Sequence, residues 1–279
     1  METKDRGTEN IQQTTGNISL QGEKAGARQR PLILVSNDDG YRARGVHCLT
    51  ELLQEFADVV AVCPEGPQSA KSMALTAGEA LRIKKLDIYR EREPEVEWYH
   101  VNGTPVDCVK IAMHTILRGR VPDLVCTGIN HGSNAAVNVV YSGTMGAAFE
   151  GCAFGIPSCG FSLCDHSADA DFSEMLPYVK EVVKKMLEKG VPEGVCLNMN
   201  APQGKISGIR QTVGCRGHWS DEYEEYTDPQ GKKFYMLTGK FVNDEPDNPD
   251  TDDALLAAGY ATLVPVRLDP TAADCRFLD

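Results

Sequence analysis

Pro31-Leu-Ile-Leu-Val-Ser-Asn-Asp-Asp-Gly40 joins a short apolar run to two adjacent carboxylates and a glycine. Such a run is what a strand covered on both faces of a parallel sheet requires. Neighbouring side chains on a strand point to opposite faces, so Asp38 and Asp39 converge only beyond its end. Gly40 supplies the sharp turn that allows this. In an open α/β sheet, ligands bind outside the carboxyl ends of the strands. Two carboxylates placed there repel each other unless a cation sits between them, and a hard divalent metal meets that need. An Asx-rich turn with a helix-capping Asp accounts for the same residues equally well.

The pattern continues outward. Val46, Leu49, Leu52, Leu53 and Phe56 recur at helical spacing within 45–56, and a second apolar run follows at Val59–Cys63. Trp98–Val101 reads as a further strand. Thr104-Pro105 opens a helix, Thr as N-cap and Pro at the first helical position. Leu124–Thr127, Ile156–Leu163 and Val195–Asn198 complete the strand set. Between them lie a small-residue helix from about Gly143 and a helix expected to be capped by Ser173 and to end at Gly190. Alternating strands and helices predict an α/β fold, a doubly wound and mostly parallel sheet in three layers.

Residues 1–30 lack periodic apolar positions and read as a flexible extension that buries too little surface to offset chain entropy. The C-terminal part differs again, with fourteen acids against five bases over 221–279. Asp228-Pro-Gln-Gly231 reads as a turn between strand-like flanks, predicting a β-hairpin arm at about 223–242. Asp244–Asp253 lacks the spacing of a calcium loop and reads as a solvated acidic connection before a short helix. Ala261–Val266 reads as a last strand.

Across 279 residues, 40 acids against 28 bases give a formal charge of −12. That balance excludes sequence-independent nucleic-acid binding, which needs basic surface to neutralise phosphates. No apolar run is long enough to span a membrane, and the N-terminus has no apolar signal core. The ten cysteines form no Cys-x-x-Cys pair and fall mostly in apolar or helical segments. They read as reduced thiols of a cytoplasmic protein.

Three further loops carry oxygen donors. Thr127-Gly-Ile-Asn-His-Gly-Ser-Asn134 follows a strand and brings Asn130 and Asn134 to the same sheet edge as Asp38. Pro64-Glu-Gly-Pro-Gln-Ser-Ala-Lys71 offers Ser69. Tyr141-Ser-Gly-Thr144 leads into a helix whose N-terminal amides favour an anion. Ser142 and Thr144 equally read as plain N-caps. His131 reads as a substrate contact, a proton donor or a solvent-facing loop residue, and Trp219, Tyr223 and Tyr226 as base-stacking groups or, more simply, as packing within the arm.

These residues resemble the SurE survival-protein family of metal-dependent 5′-nucleotidases over about residues 31–266. The resemblance rests on Ser36-Asn-Asp-Asp-Gly40, Asn102-Gly-Thr-Pro105, Gly128-Ile-Asn-His-Gly-Ser-Asn134 and Tyr141-Ser-Gly-Thr144, in that order. Thr251-Asp252 and Gly259–Pro265 follow the same pattern. The resemblance implies one SurE-like domain over 31–279. It implies metal ligands at Asp38, Asp39, Ser69 and Asn130 for one divalent cation per subunit, Mg2+ or Mn2+, with Asp38 and Asp39 catalytic. Asn134, Ser142, Gly143 and Thr144 fall where the family surrounds the phosphate. It also implies a nucleoside monophosphate substrate and a homodimer or homotetramer built through the C-terminal region. Ala70 and Ala136 depart from the family, where glycine is commoner. A broader acid phosphatase, a short-chain exopolyphosphatase and a noncatalytic nucleotide-binding regulator are the competing readings. Neither a Gly-x-Gly-x-x-Gly turn nor a Walker-type loop is present.

Overall fold

Residues 30–87, 89, 91–272 and 275 are described by the computed structural model. The first apolar run forms β1 (Leu32–Ser36), entirely buried. It is followed by α1 (Arg44–Leu53) and β2 (Asp58–Pro64), then by β3 (Ile83–Leu86) and β4 (Val96–Val101). Next come α2 (Pro105–Ile111), which runs into a π-helical turn at Ala112–Ile116, and β5 (Leu124–His131). Thr104 caps α2 through a reciprocal pair of hydrogen bonds with Asp107, as the Thr-Pro signal implies. α3 (Asn138–Tyr141), α4 (Gly143–Ala153), β6 (Ser158–Leu163), α5 (Leu176–Lys189) and β7 (Val195–Ala201) complete the α/β unit.

The main sheet has nine strands in the order β3-β4-β2-β1-β5-β6-β7, followed by two strands from the C-terminal region, β13 and β8. Here β8 is Ile209–Gln211 and β13 is Ala261–Arg267. β1 pairs in parallel with both β2 and β5, whereas β3 runs antiparallel to β4 and β13 antiparallel to β7. Alternation along β1 divides the core. Ile33 and Val35 join residues of α1 and α5 on one face, and Leu32 and Leu34 join α2 and α4 on the other. The sheet is therefore sandwiched between two helical layers. Chain order turns back on itself at β1/β5, and the gap outside their carboxyl ends is the crevice where such sheets bind ligands.

Several details differ from the sequence reading. Arg30, counted there with the extension, is anchored by donating to the carbonyls of Gln54 and Ala57. The rest of the extension lies outside the described residues. Ser173 does not cap α5, whose N-cap is Met175 without a side-chain bond. The Ser173 N–H is taken by Asp171 Oδ1 at 2.9 Å in an Asx turn, and Pro177 suits the first helical turn instead. The arm is longer than 223–242. β9 (Gly217–Ser220) pairs with β12 (Lys240–Asn243) at its base, and β10 (Tyr223–Thr227) pairs with β11 (Lys233–Leu237) at its tip. The tip turn forms at Asp228–Gly231 as read, Gly231 taking a φ of 80° and its N–H bonding Asp228 O at 2.9 Å. α6 (Asp252–Ala257), capped by Thr251, leads into the last strand.

Candidate active site

Beyond β1, Asn37 Nδ2 donates to Gly40 O at 2.9 Å, closing the turn that carries both carboxylates. Gly40 has a φ of 93°, and a Cβ there would sit 3.1 Å from the Gly66 backbone. Glycine is thus required both for conformation and for the close approach of the β2 loop. That loop is tied down directly: the Gln68 N–H donates to Asp38 O at 2.6 Å, setting Ser69 beside Asp38. From β5, the His131 N–H donates to Asp39 Oδ2 at 3.3 Å. Three of the four loops singled out from the sequence therefore meet at the β1/β5 crevice.

Asp38 is 5% exposed, and its Oδ1 accepts the Thr144 hydroxyl. A Cβ on Gly143 would lie 2.8 Å from that of Asp38, so only glycine lets α4 start against this carboxylate. Burial pushes the Asp38 carboxyl up to about 6, the Thr144 bond opposes this, and the charge of Asp39 adds to it. Burial also raises Asp39, opposed by the His131 N–H and by the imidazoles of His131 and His166. Among the described residues no lysine or arginine is a principal influence on either carboxylate. A buried carboxylate beside a second one, with no lysine or arginine partner, fits a cation site.

A cleft of about 480 Å³ opens here, lined by Asp38, Ser69, Asn130, Asn134, Ser142 and Trp219 among others, with no lysine or arginine among its described lining residues. Asn130 Nδ2 donates to Gly132 O at 2.8 Å, which leaves the amide oxygen as the donor available to a cation. Among the described residues no group of three His, Cys, Asp or Glu is arranged around a metal. A cation at this place would depend on two carboxylates and neutral oxygens from Ser69 and Asn130. Of the four residues assigned to phosphate, Asn134 and Ser142 line the cleft, while Gly143 and Thr144 stand behind it against Asp38. Ser142 also caps α4, its Oγ accepting the Met145 N–H at 3.0 Å.

Several positioning residues escaped the sequence reading. The Asn134 N–H donates to Asn200 Oδ1 and its Nδ2 to Ser162 Oγ, both at 2.8 Å. Asn198 Nδ2 holds Asn134 O, and Asn200 Nδ2 bonds Asn198 Oδ1. Asn198 and Asn200 lie two apart on one strand, on one face. Two amides on the buried face of an apolar strand are the signal that could have revealed this network. Asp252, noted only as part of a C-terminal pattern, accepts the Ala136 N–H at 2.8 Å and the Cys215 N–H at 2.7 Å. It thereby fixes the end of the β5 loop. His131 lines the cleft with its Nδ1 3.1 Å from Ser167 O. Trp219 lines the cleft as well, whereas Tyr223 and Tyr226 sit exposed on the arm tip.

A family model described as Survival protein SurE matches residues 33–221. The 5′-nucleotidase SurE of Christiangramia forsetii is 45% identical over 251 residues, covering 88% of this chain and 94% of that protein. The 5′-nucleotidase SurE of Phocaeicola vulgatus is 44% identical over 246 residues, with coverage of 88% and 94%. Among solved structures, the SurE protein from Aquifex aeolicus superposes with a TM-score of 0.75 at 35% identity, over 88% of this chain and 96% of that one.

Proposed function

The chain belongs to the SurE survival-protein family, and from that premise we propose that it is a phosphomonoesterase, a 5′-nucleotidase releasing phosphate from nucleoside 5′-monophosphates. The observation that carries this reading is the convergence of the β1, β2 and β5 loops on one cleft lined by Asp38, with Asp39 next to it on the same turn, and with no lysine or arginine among its described lining residues. An acidic cleft in an acidic protein repels phosphate, so attraction must come from a bound cation and backbone amides. Asp38, Asp39, Ser69 and Asn130 would hold one divalent cation, Mg2+ or Mn2+. When bound, it polarises the phosphoryl oxygens and lowers the pKa of water.

The remaining roles fall to the chain. Thr144 fixes the Asp38 carboxylate in place through its hydroxyl. Asn134 and Ser142, both lining the cleft, orient the phosphoryl oxygens, aided by the first amides of α4. One of Asp38 and Asp39 accepts the proton of the attacking water. His131 lines the same cleft and is the group assigned to protonate the leaving oxygen.

The same proposal places the protein in the cytoplasm as a homo-oligomer. All ten cysteines are unpaired, and no helix among the described residues is long and apolar enough to cross a membrane. The arm tip exposes Tyr223 at 65%, Tyr235 at 60% and Leu237 at 62%. A two-stranded ribbon with that much apolar surface is marginal in water and gains stability against a second subunit. Deleting 223–237 and weighing the protein by light scattering tests the arm: a smaller assembly is expected, and an unchanged mass overturns its role. For the activity, phosphate release is measured across nucleoside monophosphates, an aryl phosphate and tripolyphosphate, with and without chelator. Chelator-sensitive hydrolysis of the monophosphates is expected. Absence of turnover with Mg2+ or Mn2+ points instead to a nucleotide-binding regulator and overturns the reading.

A further inference from the structure

The cleft is larger than one phosphate requires: at about 480 Å³ it falls in the range of sites for small organic molecules. Its surplus is aromatic. Trp219 Nε1 donates to Asn138 Oδ1 at 2.9 Å, across 81 residues of chain. Asn138 opens α3 and Ser142 closes it, the Ser142 N–H bonding Asn138 O at 3.1 Å. The indole is thereby anchored to the residue that opens the short helix ending at Ser142. Phe241 is its cross-strand partner at the base of the arm, the two rings meeting edge to face with centroids 6.3 Å apart. Both rings line the cleft and both are only half-buried. The indole N–H is satisfied within the protein, so what Trp219 offers the cleft is the apolar surface of its ring.

Charge decides what that face receives. The lining near it includes Asp253 and, among the described residues, no lysine or arginine. A phosphate chain extending from the reaction centre would lay its second and third phosphates along these groups without a lysine or arginine partner. An uncharged aromatic ring gains stacking there, worth enough in other proteins to change affinity roughly tenfold or more per base. We propose that Trp219 is the stacking wall for the nucleobase, making it the residue that selects nucleoside monophosphates over base-free phosphomonoesters and polyphosphate. This rests on the 5′-nucleotidase reading above and adds the substrate's second half to it.

The test compares kcat and KM of the Mn2+-loaded enzyme for AMP, ribose 5-phosphate and tripolyphosphate. Wild type is compared with Trp219→Leu, which keeps apolar volume without an aromatic face, and Trp219→Phe, which keeps the face but not the N–H. Wild type should prefer AMP over ribose 5-phosphate by roughly tenfold or more, carried by KM, with tripolyphosphate poorer still. Trp219→Leu should lose most of that preference while ribose 5-phosphate turnover stays within about twofold, and Trp219→Phe should keep most of it. Ribose 5-phosphate serves as the internal check on folding. An equal fall for both substrates in Trp219→Leu means a structural role and overturns the proposal, as does an unchanged preference. A wild-type enzyme that turns over ribose 5-phosphate with no preference for AMP overturns the stacking wall alone. One that hydrolyses neither overturns the nucleotidase reading, and the wall with it.

Discussion

Replacing Asp38 by Asn should make the metal-free protein more stable, although it disables the site. The Asp38 carboxyl is 5% exposed, and burial moves it from 3.8 to about 6. The folded state therefore binds this proton more tightly than the unfolded chain does. Below about pH 4 the group is protonated in both states and exacts no penalty. As pH rises from about 4 to 6 the unfolded chain ionises first, so stability falls, and it levels off above the folded value. The loss at neutral pH is about 3 kcal/mol. Asn carries no charge, and its Oδ1 can still accept the Thr144 hydroxyl. In chelator at about pH 8 the variant should thus exceed wild type by about 2–3 kcal/mol, with the two converging towards pH 4. Saturating Mn2+ should reverse the order: a cation at about 1,000-fold its Kd adds about 4.1 kcal/mol to wild type and little to the variant. Urea titrations across that pH range, with chelator and with Mn2+, read both effects. A variant less stable than wild type at alkaline pH in chelator, or one with the same pH slope, refutes the argument that burial of this charge dominates the site.

Ala70 and Ala136 adopt φ values of 58° and 52°, where an L-residue costs about 1 kcal/mol; Ala70→Gly and Ala136→Gly should each raise stability by about 0.5–1 kcal/mol in urea titrations. A Cβ on Gly146 would meet the Ser72 carbonyl oxygen at 2.0 Å, so Gly146→Ala should lower stability by about 1–3 kcal/mol and open 70–75 to limited proteolysis. Seven of the ten cysteines are buried; a thiol reagent should therefore label at most Cys48, Cys164 and Cys275 before denaturation and the remaining seven only after it.

What was legible in the sequence is what local chemistry dictates. The run 31–35 reads as a covered strand, and Gly40 after two carboxylates as the turn that brings them together beyond its end. The Thr104-Pro105 start and the turn at 228–231 were likewise readable because cap and turn residues act within four positions. Less legible were contacts that depend on tertiary placement. Thr144 looked like a phosphate ligand or a cap, and its hydroxyl instead bonds Asp38, 106 residues away. Asn198 and Asn200 reach Asn134 across 64 and 66 residues. Edge strands as short as β8, three residues long, carry too few side chains to show a period. Trp219 could not be separated from Tyr223 and Tyr226 by spacing. Only the inner pairing of the arm puts the first on the cleft and leaves the others at the tip.

The chemistry proposed for the cleft depends on a cation held at the meeting of three loops. Crystals grown with Mn2+ and measured at its absorption edge would locate that ion directly. The expected result is one anomalous peak per subunit within bonding distance of Asp38, Asp39, Ser69 and Asn130, absent from crystals of Asp38→Asn. A Mn2+ peak bound elsewhere, or none at this position in crystals of an enzyme that needs Mn2+ for turnover, would contradict it.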